Sequence, residues 1–125
     1  MLFKRGAVKL VDYQKEAWDR DIITHIRIPK AQCAAVRSVR TSATDIPTLV
    51  CAAAKSENGL RIVLGARPAR AIVVADGLAT DADAAVYEAI AQKTSFGSNL
   101  RASGEYRRKI APVLMERAAK ACGEA

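Results

Sequence analysis

The chain has 125 residues, room for one domain around one core, so a single domain over residues 1–125 is expected. Half of its residues are hydrophobic but only 5% are aromatic, so the core must be built from Ala, Val, Ile and Leu, which lets elements approach closely. The formal charge of +7, from 20 Lys and Arg against 13 Asp and Glu, suits a nucleic acid, an acidic partner subunit or an anionic cofactor. The basic residues are spread along the chain, however, without a block of like charge or interleaved aromatics, which argues against nucleic acid and leaves a small basic nucleic-acid-binding module as the alternative.

No apolar stretch approaches the roughly 18 to 20 residues that cross a bilayer. The N-terminus lacks the apolar run of a secretory signal, so no membrane association and a cytoplasmic location are expected. Cys33, Cys51 and Cys122 are odd in number and widely spaced, which argues against a disulfide framework and against an iron–sulfur or zinc site; three buried free thiols are expected.

In chain order, residues 21–29 (Asp-Ile-Ile-Thr-His-Ile-Arg-Ile-Pro) are β-rich, alternate in their second half and end at a proline, which predicts a strand. Thr41, Ser42, Thr44, Asp45 and Pro47 predict a turn or a single helical turn. Residues 49–55 and 60–64 flank Ser56-Glu57-Asn58-Gly59, whose Asn-Gly pair predicts an antiparallel hairpin. After a bend at Gly65-Ala66-Arg67-Pro68, residues 70–74 predict a further strand.

Helical character begins at Thr80, taken as the N-cap of a helix over about residues 80–93, with Asp81 and Asp83 in its first turn and Val86, Ala89 and Ile90 on its apolar face. Phe96-Gly97-Ser98-Asn99 breaks it. A last helix begins near Ser103 and stops at Gly123, with Tyr106, Ile110, Val113, Leu114 and Ala118 forming a buried stripe. Pro112 lies inside and should kink or split it. Strands followed by helices predict an α+β fold, an antiparallel sheet packed with helices.

Neither a GxxxxGK nor a GxGxxG phosphate loop is present. His25 is the sole histidine, no carboxylate pair stands out, and no nucleophile–base set can be assembled, so no catalytic residue is assigned. Two basic groupings remain: Arg37 with Arg40 before the middle turn, and Arg101, Arg107 and Arg108 around the start of the last helix. Each reads either as a solvated face or as a clamp for an anion, which the planar guanidinium fork suits.

The segment Asn99-Leu100-Arg101-Ala102-Ser103-Gly104-Glu105-Tyr106-Arg107-Arg108, followed by Glu116-Arg117-Ala118, resembles the concluding signature of flavoprotein subunits in the xanthine dehydrogenase/CO dehydrogenase family of molybdenum hydroxylases. Residues 21–29 look like that family's Glu-Ile-Ile-x-x-Ile-x-(Ile/Leu)-Pro strand, and residues 60–71 are similar to its Arg-(Ile/Leu)-x-x-Gly-(Ala/Gly) strand and bend. The resemblance runs in family order over nearly the whole chain. It implies the C-terminal domain of the FAD-binding subunit, an oxidoreductase component that is not catalytic in isolation, with the FAD-binding domain expected upstream.

The resemblance further implies an electron-transfer complex that passes electrons from molybdenum through [2Fe–2S] clusters to FAD and on to NAD or another acceptor. The implied partners are the FAD-binding domain, the [2Fe–2S] subunit and the molybdenum-cofactor subunit. FAD belongs to the parent subunit, and no cofactor is expected on this chain alone. Carried over by position, Arg37, Arg40, Asp45 and Thr24 fall on the flavin side of the cleft, while Arg101, Ser103, Glu105, Tyr106, Arg107 and Arg108 form a structural and subunit-contact motif. Asn99 replaces the usual Asp, which would remove a carboxylate partner for Arg101.

Overall fold

The computed structural model describes residues 2, 3, 6–15 and 22–123, and the chain divides into two compact units, residues 1–30 and 31–125. In the first, β1 (Leu2–Phe3) and β2 (Gly6–Ala7) form a short antiparallel ribbon, followed by the single helical turn α1 (Leu10–Tyr13). The strand predicted over residues 21–29 does not form. Asp21 lies outside the described residues, and residues 22–29 are irregular apart from one bridge at His25. Ile22, Ile26 and Ile28 are 66%, 65% and 80% exposed. β-Branched residues favour a strand only where a ladder and apolar neighbours receive them, so this run has the composition of a strand without the sheet.

The second unit is a four-stranded antiparallel sheet in the order β3 (Cys33–Val39), β4 (Leu49–Ser56), β5 (Gly59–Gly65), β6 (Ile72–Leu78), with α2 (Ala84–Lys93) and α3 (Gly104–Gly123). The α+β class expected from the sequence is what is found. The predicted hairpin is the β4–β5 pair, with Ser56 opposite Gly59. Gly59 sits at φ +108°, and a Cβ there would come within 2.7 Å of the Leu78 carbonyl oxygen, so only glycine suits this corner. The further strand begins two residues later than predicted and runs on to Leu78, with a register irregularity against β5 between Leu60 and Val63.

Alternation along the two central strands sends Leu49, Cys51 and Ala53 of β4, and Leu60, Ile62 and Leu64 of β5, into the core under the helices. Each buried Leu or Ile contributes about 1.5–3 kcal/mol. The other face carries Val36 and Val73, both more than half exposed, and a two-pronged Arg61–Asp76 pair, Nε–Oδ1 3.1 Å and Nη2–Oδ2 2.7 Å. The Arg61 hydrogen bond holds the Asp76 carboxyl below its ordinary pKa. Of the three thiols expected in the interior, Cys51 and Cys122 are buried and Cys33 is only half-buried, since it starts an edge strand.

Three helix details differ from expectation. The N-cap of α2 is Asp83, whose Oδ1 accepts from the Val86 amide at 3.1 Å, and not Thr80. Its deepest residues are Tyr87 and Ala91, with Val86 and Ile90 half-buried and Ala89 exposed. In α3 the buried stripe is Gly104, Arg107, Ala111, Leu114, Met115, Ala118, Ala119 and Cys122, while Tyr106 and Val113 stay 46% and 45% exposed. Small residues let α3 lie close against β3 and β4, and that turns the helix away from the face its larger side chains suggest. Pro112 is buried within one continuous helix and leaves the Arg108 carbonyl without its usual amide donor, but does not split the helix.

Candidate functional site

The turn between β3 and β4 is shaped by its own polar groups. The Asp45 amide donates to the Ser42 carbonyl at 3.2 Å, Asp45 Oδ1 accepts from the Ile46 amide at 2.7 Å, and the Thr48 amide returns to the Val39 carbonyl at 2.8 Å. Arg40 braces this turn from outside, its Nε donating to Ser38 Oγ at 3.2 Å and its Nη1 reaching the Asp45 carbonyl at 3.5 Å.

The loop entering α3 is built in the same manner. Asn99 Oδ1 accepts from the amides of Arg101 and Ala102 at 3.1 and 3.4 Å, and Ser98 Oγ from the Gly104 amide at 2.8 Å. Ser103 caps the helix, its Oγ accepting from the Tyr106 amide at 3.1 Å. A Cβ on Gly104 would collide with the Phe96 carbonyl oxygen, so the helix start and this loop touch backbone to backbone.

Arg107 joins turn and loop from beneath. It is 0% exposed. Nε donates to the Thr48 carbonyl at 2.8 Å, Nη1 to the carbonyls of Gly97 and Ala102 at 2.8 and 2.6 Å, and Nη2 to Asn99 Oδ1 at 2.7 Å. All four acceptors are neutral, and burial lowers the guanidinium pKa from its ordinary value. The side chain at position 99 therefore partners Arg107 and the local backbone. The Arg101 side chain finds its carboxylate elsewhere, with Nη2 3.4 Å from Asp45 Oδ1.

The resulting surface cluster is Arg40, Asp45 and Arg101, with Arg101 on the Asp45 carboxylate and Arg40 on the Asp45 main-chain carbonyl. It brings together one residue of each basic grouping. Arg37 is exposed and turns its Nη1 to the Val36 carbonyl at 3.0 Å. Thr24 is exposed in the first unit. The remaining motif residues disperse around α3: Glu105 pairs with Lys109 at 3.0 Å, Tyr106 is partly exposed, and Arg108 lines a polar groove of about 300 Å³ with Glu88, Gln92, Glu105 and Lys109.

Arg67 was not singled out in the sequence, yet it is 8% exposed and anchors the loop from its other side, with Nε to the Arg70 carbonyl at 3.0 Å and Nη1 to the carbonyl and hydroxyl of Ser95 at 2.6 and 3.1 Å. The only signal for either buried arginine is position: Arg107 falls on the spacing of Gly104, Ala111, Leu114 and Ala118.

Chemically, the Arg40–Asp45–Arg101 cluster can present guanidinium donors and a carboxylate acceptor side by side to a planar polar ligand or to a partner surface. Among the described residues, no group of three or more His, Cys, Asp or Glu could hold a metal ion, and no helix is long and apolar enough to cross a membrane.

No protein-family model matches the chain, and neither does any curated protein. Among solved structures, the chain is similar to quinoline 2-oxidoreductase from Pseudomonas putida 86, with a TM-score of 0.64 and 20% identity. The likeness covers 79% of this chain and 39% of that one, so this chain corresponds to about two fifths of that chain's length. Its fold is that of a segment of quinoline 2-oxidoreductase.

Proposed function

We propose that this chain is the C-terminal domain of the FAD-binding subunit of a molybdenum hydroxylase of the xanthine dehydrogenase/CO dehydrogenase type, supplying one side of the flavin cleft and a docking surface for its partner subunits. The observation that carries the reading is the Arg101–Asp45 contact, 3.4 Å, which joins the two segments that the sequence resemblance assigns to the flavin side and to the closing motif. The likeness of fold to part of quinoline 2-oxidoreductase, itself a molybdenum hydroxylase, supports it. So does the exposed isoleucine run of residues 22–28, an apolar surface of the kind that a second domain covers.

The residues fit one edge of a flavin and no more. Arg40 and Arg101 can donate to ring carbonyl oxygens, and Asp45 can accept from an imide N–H. Arg107 holds both loops in place without reaching the surface. Bound in the parent subunit, FAD would supply the redox chemistry between the [2Fe–2S] side and NAD or another acceptor. This chain's residues orient the ring edge and exclude water from it. The expected setting is the cytoplasm.

Coexpression with a FAD-binding domain of such a subunit tests the proposal. A colourless chain alone and a yellow complex together are expected, with flavin retention at least tenfold weaker after Arg101→Glu and Arg40→Glu. Failure of the chain to associate with any such domain sinks it.

A further inference from the structure

The groove between α2 and α3 shares no residue with the Arg40–Asp45–Arg101 cluster, and the flavin-side reading makes no use of it. Glu88 and Gln92, one turn apart on α2, line it from one side, and Glu105, Arg108 and Lys109 of α3 from the other. Its volume is about 300 Å³, the lower end of the range for small-ligand sites. Two carboxylates and two cations make the lining neutral overall, although the chain carries +7. A phosphate or a metal cation gains little from such a lining, whereas a neutral ligand that carries both signs can meet both.

The four charges are not equally engaged. Glu105 and Lys109 hold each other at 3.0 Å. Among the described residues, neither Glu88 nor Arg108 has an ion pair or a side-chain hydrogen bond, although both line the same groove. Arg108 Nε is moreover buried without a hydrogen-bond partner, and among the described residues no other buried side-chain nitrogen or oxygen is left so. A buried donor gives up its water without return, so folded proteins rarely leave one unmatched, and where they do an acceptor is missing.

We propose that this groove binds a small polar α-amino acid in its zwitterionic form. The ligand carboxylate takes Arg108 side-on, across Nε and a terminal nitrogen, in the two-pronged manner a guanidinium offers. Nε is enclosed, so binding turns that edge of Arg108 into the groove and gives the donor its acceptor. The ligand ammonium group meets the Glu88 carboxylate, and the Gln92 carboxamide, both donor and acceptor, receives a polar side chain. The lining has no apolar side chain to receive a large hydrophobic one. A lone acidic group from a protein partner would satisfy Arg108 and leave Glu88 unmatched; the zwitterion satisfies both.

Titration of the full chain with glycine and with L-glutamine, followed on the nitrogen–proton NMR signals of Arg108 Nε and the Gln92 side-chain amide, tests the site. Saturable shifts are expected for both, with L-glutamine the tighter. Acetate and methylammonium, each with one half of the charge pattern, should bind at least about tenfold more weakly. Glu88→Gln, at an exposed position, should leave the melting temperature unchanged and weaken glycine binding by about tenfold. Arg108→Gln should abolish binding, read on the Gln92 amide. Shifts that never saturate, or glycine binding unaffected by Glu88→Gln, would overturn the proposal. Acetate binding as tightly as glycine would also overturn it and assign the groove to an acidic group of a partner.

Discussion

Arg101 and Arg107 lie six residues apart in one motif and do opposite work. Arg107 is wholly enclosed and spends its guanidinium on four neutral acceptors, three of them backbone carbonyls, so that it replaces secondary structure where two loops meet. Arg101 stays at the surface in a single 3.4 Å contact with Asp45, with its remaining donors available to a ligand or a partner. A buried acceptor that loses its donor costs its full desolvation, whereas a surface pair exchanges readily with water. One arginine is therefore a condition of the fold, and the other is available for function.

The comparison can be broken most decisively at Arg107. Arg107→Met leaves the acceptors of Thr48, Gly97, Ala102 and Asn99 without their donor, and unfolding in urea should show a loss of about 3 kcal/mol or more. A loss below about 1 kcal/mol would mean that water replaces the guanidinium and that the loops need no such tie.

Titration with base probes the core beneath the helices, where the buried Cys51 thiol is neutral and becomes charged only when it loses its proton. Burial pushes Cys51 from an ordinary 9.0 up to about 12. The folded pKa stands above the unfolded one, so the unfolded chain releases the proton first. The stability Cys51 lends is complete below pH 9 and is lost as pH rises toward 12. Unfolding free energy should fall in this window by up to about 1.4 kcal/mol per pH unit from this group. Cys51→Ala should flatten that part of the slope, and parallel slopes for the two proteins would refute the assignment.

The smallest effect belongs to the surface pair. Arg101→Ala and Asp45→Asn should each change stability by less than about 1 kcal/mol, measured by the same denaturation, while weakening flavin retention in a complex with a FAD-binding domain. A large loss of stability from either would erase the distinction between the two arginines.

Much of this layout was legible in advance because it rests on local rules. The β4–β5 hairpin followed from Asn58-Gly59, the middle turn from its small polar residues, and the start of α3 from Ser103, since turn and cap chemistry act over three or four residues. The face of α3 was read in part: Leu114 and Ala118 are buried as the sequence suggests, but packing on the sheet selected Gly104, Arg107 and Ala111 over Tyr106 and Val113, and hydrophobicity cannot announce a buried arginine. The strand at residues 21–29 was misread for the complementary reason, as β-branched composition does not supply a neighbouring strand.

The cap of α2 shifted from Thr80 to Asp83 because Asp81 and Asp83 offer competing starts. Arg40, Asp45 and Arg101 were each singled out in the sequence, but their grouping, without Arg37 and Thr24, was not. Arg40 and Asp45 belong together by proximity in sequence, but their meeting with Arg101, and the dispersal of Arg108 to a different groove, depend on where α3 lies.

By itself, then, the sequence determined the α+β class, the β4–β5 hairpin, the strand after it, the two helices and the polar turns that connect them, because these follow from side-chain periodicity and short-range hydrogen bonding; the edge strand β3 (Cys33–Val39), whose Ala-rich run carries no clear period, was not read. Only the tertiary structure decided which arginine is enclosed and which carboxylate Arg101 meets. Those outcomes depend on contacts between residues far apart in the chain, and they arise when small side chains let α3 settle onto the sheet and carry its polar groups to partners that no local pattern encodes.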